Sequence, residues 1–153
     1  MSTIHYVIGD ATEPQGSGLK VIVHCCNNRG AWGAGFVMAL SAKWEAPEEH
    51  YKNFCSLMLG SVQMVPVEED IIVANLVGQD GVGRDREGNP PVRYEAIRAG
   101  LHSLTHSVFN REFSVHMPRM GCGLAGGNWN TVEGIVQDTL VHAGIPVTVY
   151  DLP

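Results

Sequence analysis

Asp10 follows the alternating run Ile4, Tyr6, Ile8, where a short strand would end in the turn Gly9-Asp10-Ala11-Thr12. A carboxylate there can accept from an exocyclic amine such as that of adenine, or it can serve only the turn. Asn27 stands where a second strand, Val21 to His24 and its continuation, meets a loop. Its carboxamide both donates and accepts, which suits ribose hydroxyls, and the alternative is an ordinary Asn turn. His24 reads first as a satisfied core histidine and second as a ligand or base. Arg119 precedes a glycine-rich segment, where it can reach a phosphate or pair with an acidic neighbour. Trp32 lies between glycines, and an exposed indole there favours a lid over a ligand or pocket. Cys122 is a candidate nucleophile set against a reading of all four cysteines as small buried hydrophobes.

The elements that must position these residues are marked by glycine. Of 153 residues 18 are glycine, and ten of those fall in three segments: Gly30 to Gly35, Gly78 to Gly83 and Gly121 to Gly127. Glycines serving unrelated turns would be spread along the chain, so the clustering points to three built loops. The first loop follows the buried strand and opens a helix with Phe36, Leu40 and Trp44 at helical spacing. Backbone N–H groups free of side chains at the positive end of a helix form a receptor for phosphate. Pro47 opens a further helix with Tyr51, Phe54, Cys55, Leu57 and Met58 as its apolar stripe.

Val62 to Val67 and Ile71 to Val77 read as strands joined by the acidic turn Glu68-Glu69-Asp70. The polar stretch from Gly78 to Pro91 has no periodicity, and a loop that long in a compact domain is more often functional than idle. Tyr94, Ile97, Leu101, Leu104 and Val108 give a helix, and Phe113 to Met117 a strand. Asn130 with Glu133 resembles a capping box opening the last helix, which carries Val132, Ile135, Val136 and Leu140. Val147 to Tyr150 closes the chain as a strand. Strands alternating with helices predict an α/β sandwich around a mostly parallel or mixed sheet. Ligands of such sheets sit beyond the carboxyl ends of the strands, so the glycine loops are expected on one edge, facing each other across a cleft.

Composition bounds the rest. The length predicts one domain over residues 1–153. A net charge of -6 argues against a nucleic-acid partner, though not against a pocket for one nucleotide. No apolar run approaches the ~20 residues of a membrane span, and the start lacks a signal pattern, so a cytoplasmic protein is expected. No cysteine pair has CxxC spacing and no His–carboxylate set is grouped, so neither a metal nor another cofactor is expected. GxxxxGK[ST], GxGxxG and GxSxG are all missing.

Taken together, GDAT after the first strand, HCCNN followed by GAWGAGF, MPRMGCGLAGGNW and the closing TVYDL resemble the macrodomain family of ADP-ribose binders. The matches run from residue 4 to residue 152, and the branch they resemble is that of the ADP-ribose 1''-phosphate phosphatases and terminal ADP-ribose protein glycohydrolases. The resemblance implies a three-layer α/β/α sandwich with a mixed central sheet. It implies that Asp10, between Gly9 and Ala11, holds the adenine amine, and that Asn27 touches the distal ribose beside His24. Gly30, Ala31, Trp32, Gly33, Ala34, Gly35 and Phe36 would wrap the diphosphate and distal ribose. Gly121, Cys122, Gly123, Leu124, Ala125 and Gly126 would close from the other side with Arg119, and Tyr150 and Leu152 would lie near the adenosine.

The chain departs from this branch where mechanism is decided. Gly78 or Gln79 stands near the expected lysine, Ala125 replaces an aspartate, and Val37 replaces the aspartate of another hydrolytic branch. A lysine adduct is therefore unavailable. The expectation is water attack on the distal ribose, with Asn27 and the ligand's own phosphate placing the water and Gln79 and Asp80 assisting. Mono-ADP-ribosylated proteins carrying ester links to Asp or Glu are the expected partners. The alternatives are a phosphatase acting on ADP-ribose 1''-phosphate and a non-catalytic reader.

Overall fold

The structure, a computed structural model, describes residues 3–53, 57–106, 111–123 and 125–153. Its strands are β1 (Ile4–Ile8), β2 (Leu19–Asn27), β3 (Val62–Glu68), β4 (Ile71–Gln79), β5 (Phe113–Met117) and β6 (Val147–Asp151). Its helices are α1 (Phe36–Lys43), α2 (Ala46–Lys52), α3 (Tyr94–Leu104) and α4 (Trp129–Val136), the last continued by a π turn over Gln137–Val141. The strands form one sheet in the order β1-β6-β5-β2-β4-β3. Every neighbouring pair is parallel except β3 with β4. The result is a mixed sheet, with Pro66 on the edge strand β3, where a missing N–H breaks no interior ladder.

The unbroken apolar runs of β2 and β4 follow from burial on both faces. Val21 and Val23 of β2, with Ile72, Ala74 and Leu76 of β4, pack on one side with Ile97 and Leu101 of α3 and Ile135 of α4. Ile22 and Val73 point the other way, against Leu40 of α1 and Tyr51 of α2. Two helical layers therefore enclose the sheet. Among the described residues no helix is long and apolar enough to cross a membrane.

Three local expectations change. Helix α2 stops at Lys52, capped where the Asn53 N–H donates to the Glu49 carbonyl. Leu57 and Met58 therefore lie beyond its stripe, Met58 well exposed, while Phe54 and Cys55 fall outside the described residues, as does Val108 after α3. The last helix is capped by Asn128, whose Oδ1 accepts from the Asn130 N–H at 2.8 Å. Asn130 is not the cap, and Glu133 accepts from the Tyr6 hydroxyl instead of reaching back to the backbone. Leu140 is buried as expected but on the π turn, not on a regular α-helix.

Candidate functional site

The carboxyl ends of the five parallel strands share one rim, and a cavity of about 610 Å³ opens there. From β1 to β4 the rim crosses four inter-strand spacings, about 19 Å. Asp10 after β1 and Gln79 at the end of β4 both line it, as do Ala34 and Gly35 from the first glycine loop and Gly121 and Gly123 from the third.

The first loop is made by Asn27. Its Oδ1 accepts from the N–H groups of Arg29 and Ala31 at 2.9 and 3.2 Å, and its Nδ2 donates to the Ala31 carbonyl at 2.8 Å. Tyr51 from α2 donates its hydroxyl to both Asn27 oxygens. A register shift at Cys26/Asn27 pairs Asn27 with Gln79 at the end of the ladder, where its side chain enters this network. Asn27 is thus buried and engaged under the loop, and it does not line the cavity, contrary to its expected ribose contact.

Trp32 also differs from expectation. Its indole is 7% exposed, stands edge-on to His24 at 5.4 Å, lies against Tyr51, and donates to Ser41 Oγ. It is a foundation of the loop and not a lid. Past it the N–H groups of Gly33, Ala34, Gly35 and Phe36 bond to no described residue. Gly35, with φ 81° directly before α1, adopts a conformation strained for any side chain. Open amides at a helix start are what an anion requires.

The third turn is closed on itself by Gly126 N–H to the Gly123 carbonyl and Gly127 N–H to the Gly121 carbonyl. Gly121, Gly123 and Ala125 face the cavity, but Gly126 and Cys122 do not, and Leu124 lies outside the described residues. Burial raises the Cys122 thiol pKa, and its Sγ donates to the Met120 carbonyl, both of which disfavour the thiolate a nucleophile needs. Gly78 lies behind the wall, where a Cβ would come within 2.6 Å of Cys25 Sγ. Gly30, Ala31 and Gly33 belong to the loop without lining the cavity.

At the β1 end Gly9, Asp10 and Ala11 line the cavity with Tyr150 and Leu152. Asp10 Oδ1 accepts from the Thr12 N–H and hydroxyl at 2.8 and 2.7 Å, so it is a turn residue whose second oxygen remains open. Arg119 lines the rim but is committed. It bonds both Asp151 oxygens, at 2.8 and 3.0 Å, and lies 5.3 and 5.4 Å from the Tyr6 and Trp129 rings.

At the β4 end Asp80 is excluded from the cavity. Its Oδ1 accepts from Asn28 Nδ2 at 3.2 Å and its Oδ2 faces Arg93 at 3.8 Å. Asn28 also accepts from the Gly81 N–H, which ties the second glycine loop to the first. His24 lines the wall and is neutral, because burial holds its pKa near 4 despite the bond to Asn75. Asn75 Nδ2 donates to Pro47 and Gln63, so its oxygen must accept from His24 Nε2–H, at 2.6 Å.

Cys25, Val37, Ala39 and Pro118 also line the cavity, though sequence reasoning did not select them. The signal was position: Val37 and Ala39 sit in the first turn after the glycine loop, and Pro118 directly after β5. Burial pushes the Cys25 thiol up to about 12, so it is an inert wall. Among the described residues no His, Cys, Asp and Glu side chains are grouped to hold a metal ion.

A mixed α/β/α sheet with two glycine turns meeting over its carboxyl rim defines a class of anion-binding domains, and comparison identifies which. The chain is 50% identical to a protein of unknown function from Bacteroides thetaiotaomicron whose structure is solved (TM-score 0.96, 99% of both chains). It is 46% identical to a macrodomain protein from Streptomyces coelicolor (TM-score 0.83, 97% of this chain and 99% of that one). It is 32% identical to the ADP-ribose 1''-phosphate phosphatase of Candida glabrata, covering 99% of this chain and 100% of that protein. The chain belongs to the macrodomain family. It is also 32% identical to the mouse chromodomain-helicase-DNA-binding protein 1-like over 99% of its own length, but it spans only 18% of that protein. No family model matches the chain.

Proposed function

We propose that the cavity binds ADP-ribose, adenine at Asp10 and distal ribose at Gln79, and that the protein hydrolyses the bond at the distal ribose. One observation carries the reading: the first glycine loop, with its open amides, and Gly121, Gly123 and Ala125 of the third turn line a single cavity between those two side chains. The likeness to the ADP-ribose 1''-phosphate phosphatase of Candida glabrata supports an ADP-ribose compound as ligand. The substrate we favour is ADP-ribose esterified to Asp or Glu of a protein. Water adds to C1'', the bond from C1'' to the acyl oxygen breaks, the carboxylate leaves with the electron pair, and the water's proton passes to solvent.

Among the three expected catalytic side chains only Gln79 reaches the cavity, since Asn27 and Asp80 are engaged elsewhere. Gln79 orients the water, and the oriented amides hold the diphosphate in place. A carboxylate leaving group demands less of such a site than an amide would. The specific rival is phosphate release from ADP-ribose 1''-phosphate, favoured by the full-length likeness to a phosphatase.

Release of ADP-ribose from a glutamate-linked acceptor, with phosphate release from ADP-ribose 1''-phosphate measured alongside, decides between them. Gln79→Ala is expected to lower kcat about a hundredfold with KM little changed, the low end of the general range for one positioned group. No turnover of either substrate, with ADP-ribose still bound, would leave a reader of ADP-ribosylated protein. Asp10→Asn keeps the turn but removes the charge. Calorimetry is expected to show ADP-ribose bound about tenfold more weakly, the scale of one charge-assisted hydrogen bond. Unchanged affinity would displace the adenine from this end.

A further inference from the structure

Tyr150 lines the cavity wall, yet its hydroxyl is buried in the sheet and bonded twice. It accepts from the Gln15 backbone N–H at 2.9 Å and meets His116 Nδ1 at 2.7 Å. His116, on the adjacent strand β5 and 2% exposed, meets Ser114 Oγ through Nε2, again at 2.7 Å. None of the motifs above includes Ser114 or His116, and neither lines the cavity.

A hydroxyl has one proton and two lone pairs, so Tyr150, which accepts from the Gln15 N–H, pairs with His116 Nδ1 either by donating its O–H or by accepting Nδ1–H. The neutral imidazole has one donor and one acceptor nitrogen, so Nε2–H donates to Ser114 Oγ in the first case and Nε2 accepts from the Ser114 hydroxyl in the second; all three groups are satisfied in both. Burial keeps the components in these states at neutral pH, the phenol pKa raised and the imidazole lowered to about 4. The wall held by this chain adjoins Asp10. A Cβ placed on Gly9 would lie 3.5 Å from Tyr150 Cδ2 and 3.6 Å from Gln15 Nε2.

We infer that Ser114 and the buried His116 form a hydrogen-bonded relay that fixes Tyr150, and through its hydroxyl the Gln15 backbone, which makes His116 a positioning residue for the adenosine end of the ligand. The inference rests on the ADP-ribose reading of the cleft. His116 acts on the ligand only through Tyr150, so its effect falls on binding and leaves the distal ribose chemistry alone.

The test compares wild type with His116→Phe, His116→Asn and Tyr150→Phe. Asn places a carboxamide, with both an acceptor and a donor, near where Nδ1 stood and should restore the bond in either direction; Phe cannot. Calorimetry with AMP and with ADP-ribose is expected to show about tenfold weaker binding for His116→Phe and Tyr150→Phe, with His116→Asn near wild type. KM rises in step while kcat stays unchanged. Hydrogen exchange at the Gln15 amide, which needs no ligand, is expected to quicken in Tyr150→Phe and His116→Phe. If His116→Phe fails to fold, Tyr150→Phe decides, because it keeps the ring and deletes only the oxygen. Wild-type affinity and wild-type Gln15 exchange in Tyr150→Phe overturn the inference. A wild type that binds neither AMP nor ADP-ribose overturns the parent reading and the adenosine role together, and the exchange data then report separately whether the relay holds the wall.

Discussion

At pH 4 the protein is expected to be about 6 kcal/mol less stable than at pH 7 on account of two histidines, about 3 kcal/mol from each. His24 and His116 are buried, and both have pKa values lowered from 6.5 to about 4, chiefly by burial. The unfolded chain takes up these two protons as pH falls below 6.5, while the folded chain resists until about 4. Acid therefore favours the unfolded state through that window, and the stabilisation is fully present above it. Typical domains hold about 5–15 kcal/mol in total, so the loss is large enough to bring the chain near unfolding. Asp70 and Asp151, held below the usual carboxylate range by Lys20 and Arg119, add to the loss at lower pH. Urea denaturation at pH 7, 6, 5 and 4 checks this, and His116→Asn should remove about half of the decline. A midpoint that stays level from pH 7 to pH 4 would mean the imidazoles are charged or solvated in the folded protein.

The second large effect concerns Asn27→Ala, expected to cost about 2–3 kcal/mol of stability and at least tenfold in ADP-ribose affinity, given the general cost of stranding buried partners. The truncation takes the acceptor from two loop amides, the donor from the Ala31 carbonyl, and one of two acceptors from the Tyr51 hydroxyl. A residue that merely touched a ligand would lose affinity with stability intact. Here both are expected to fall, because the side chain builds the loop that presents the amides of Gly33 to Phe36. Denaturation and calorimetry on one preparation separate the cases: reduced affinity at unchanged stability would return Asn27 to the ligand's surface.

Much of this arrangement was legible in the chain itself, for definite reasons. Double-sided burial writes itself as unbroken apolar runs, so β2 and β4 were visible, and two of the three glycine clusters marked loops that line the cavity, while the glycines of the second, Gly78 to Gly83, stay off it. What escaped were facts of long-range pairing. Nothing local says that β1 lies beside β6, so the meeting of Tyr6 with Trp129 and of Arg119 with both rings could not be read. Trp32 looked exposed because its neighbours are glycines, whereas tertiary contacts with His24 and Tyr51 bury it. Asn128 and Asn130 are both competent caps, and only backbone geometry, extended at Asn128, decides between them. The π turn at Gln137–Val141 keeps Leu140 in the core, so the apolar pattern alone did not betray it.

Strands β1 and β6 run side by side in one direction, Ile4 beside Val147 and Ile8 beside Asp151. Residue 4 and residue 151 are therefore at opposite ends of this strand pair, separated by four residue steps along it, roughly 13 Å. A purification handle or fluorescent fusion joined after Pro153 would emerge next to Leu152, at the mouth of the cavity. The same handle joined ahead of residue 3 would hang from the far pole and leave that mouth clear, which makes the amino-terminal fusion the proper reagent for every titration described above.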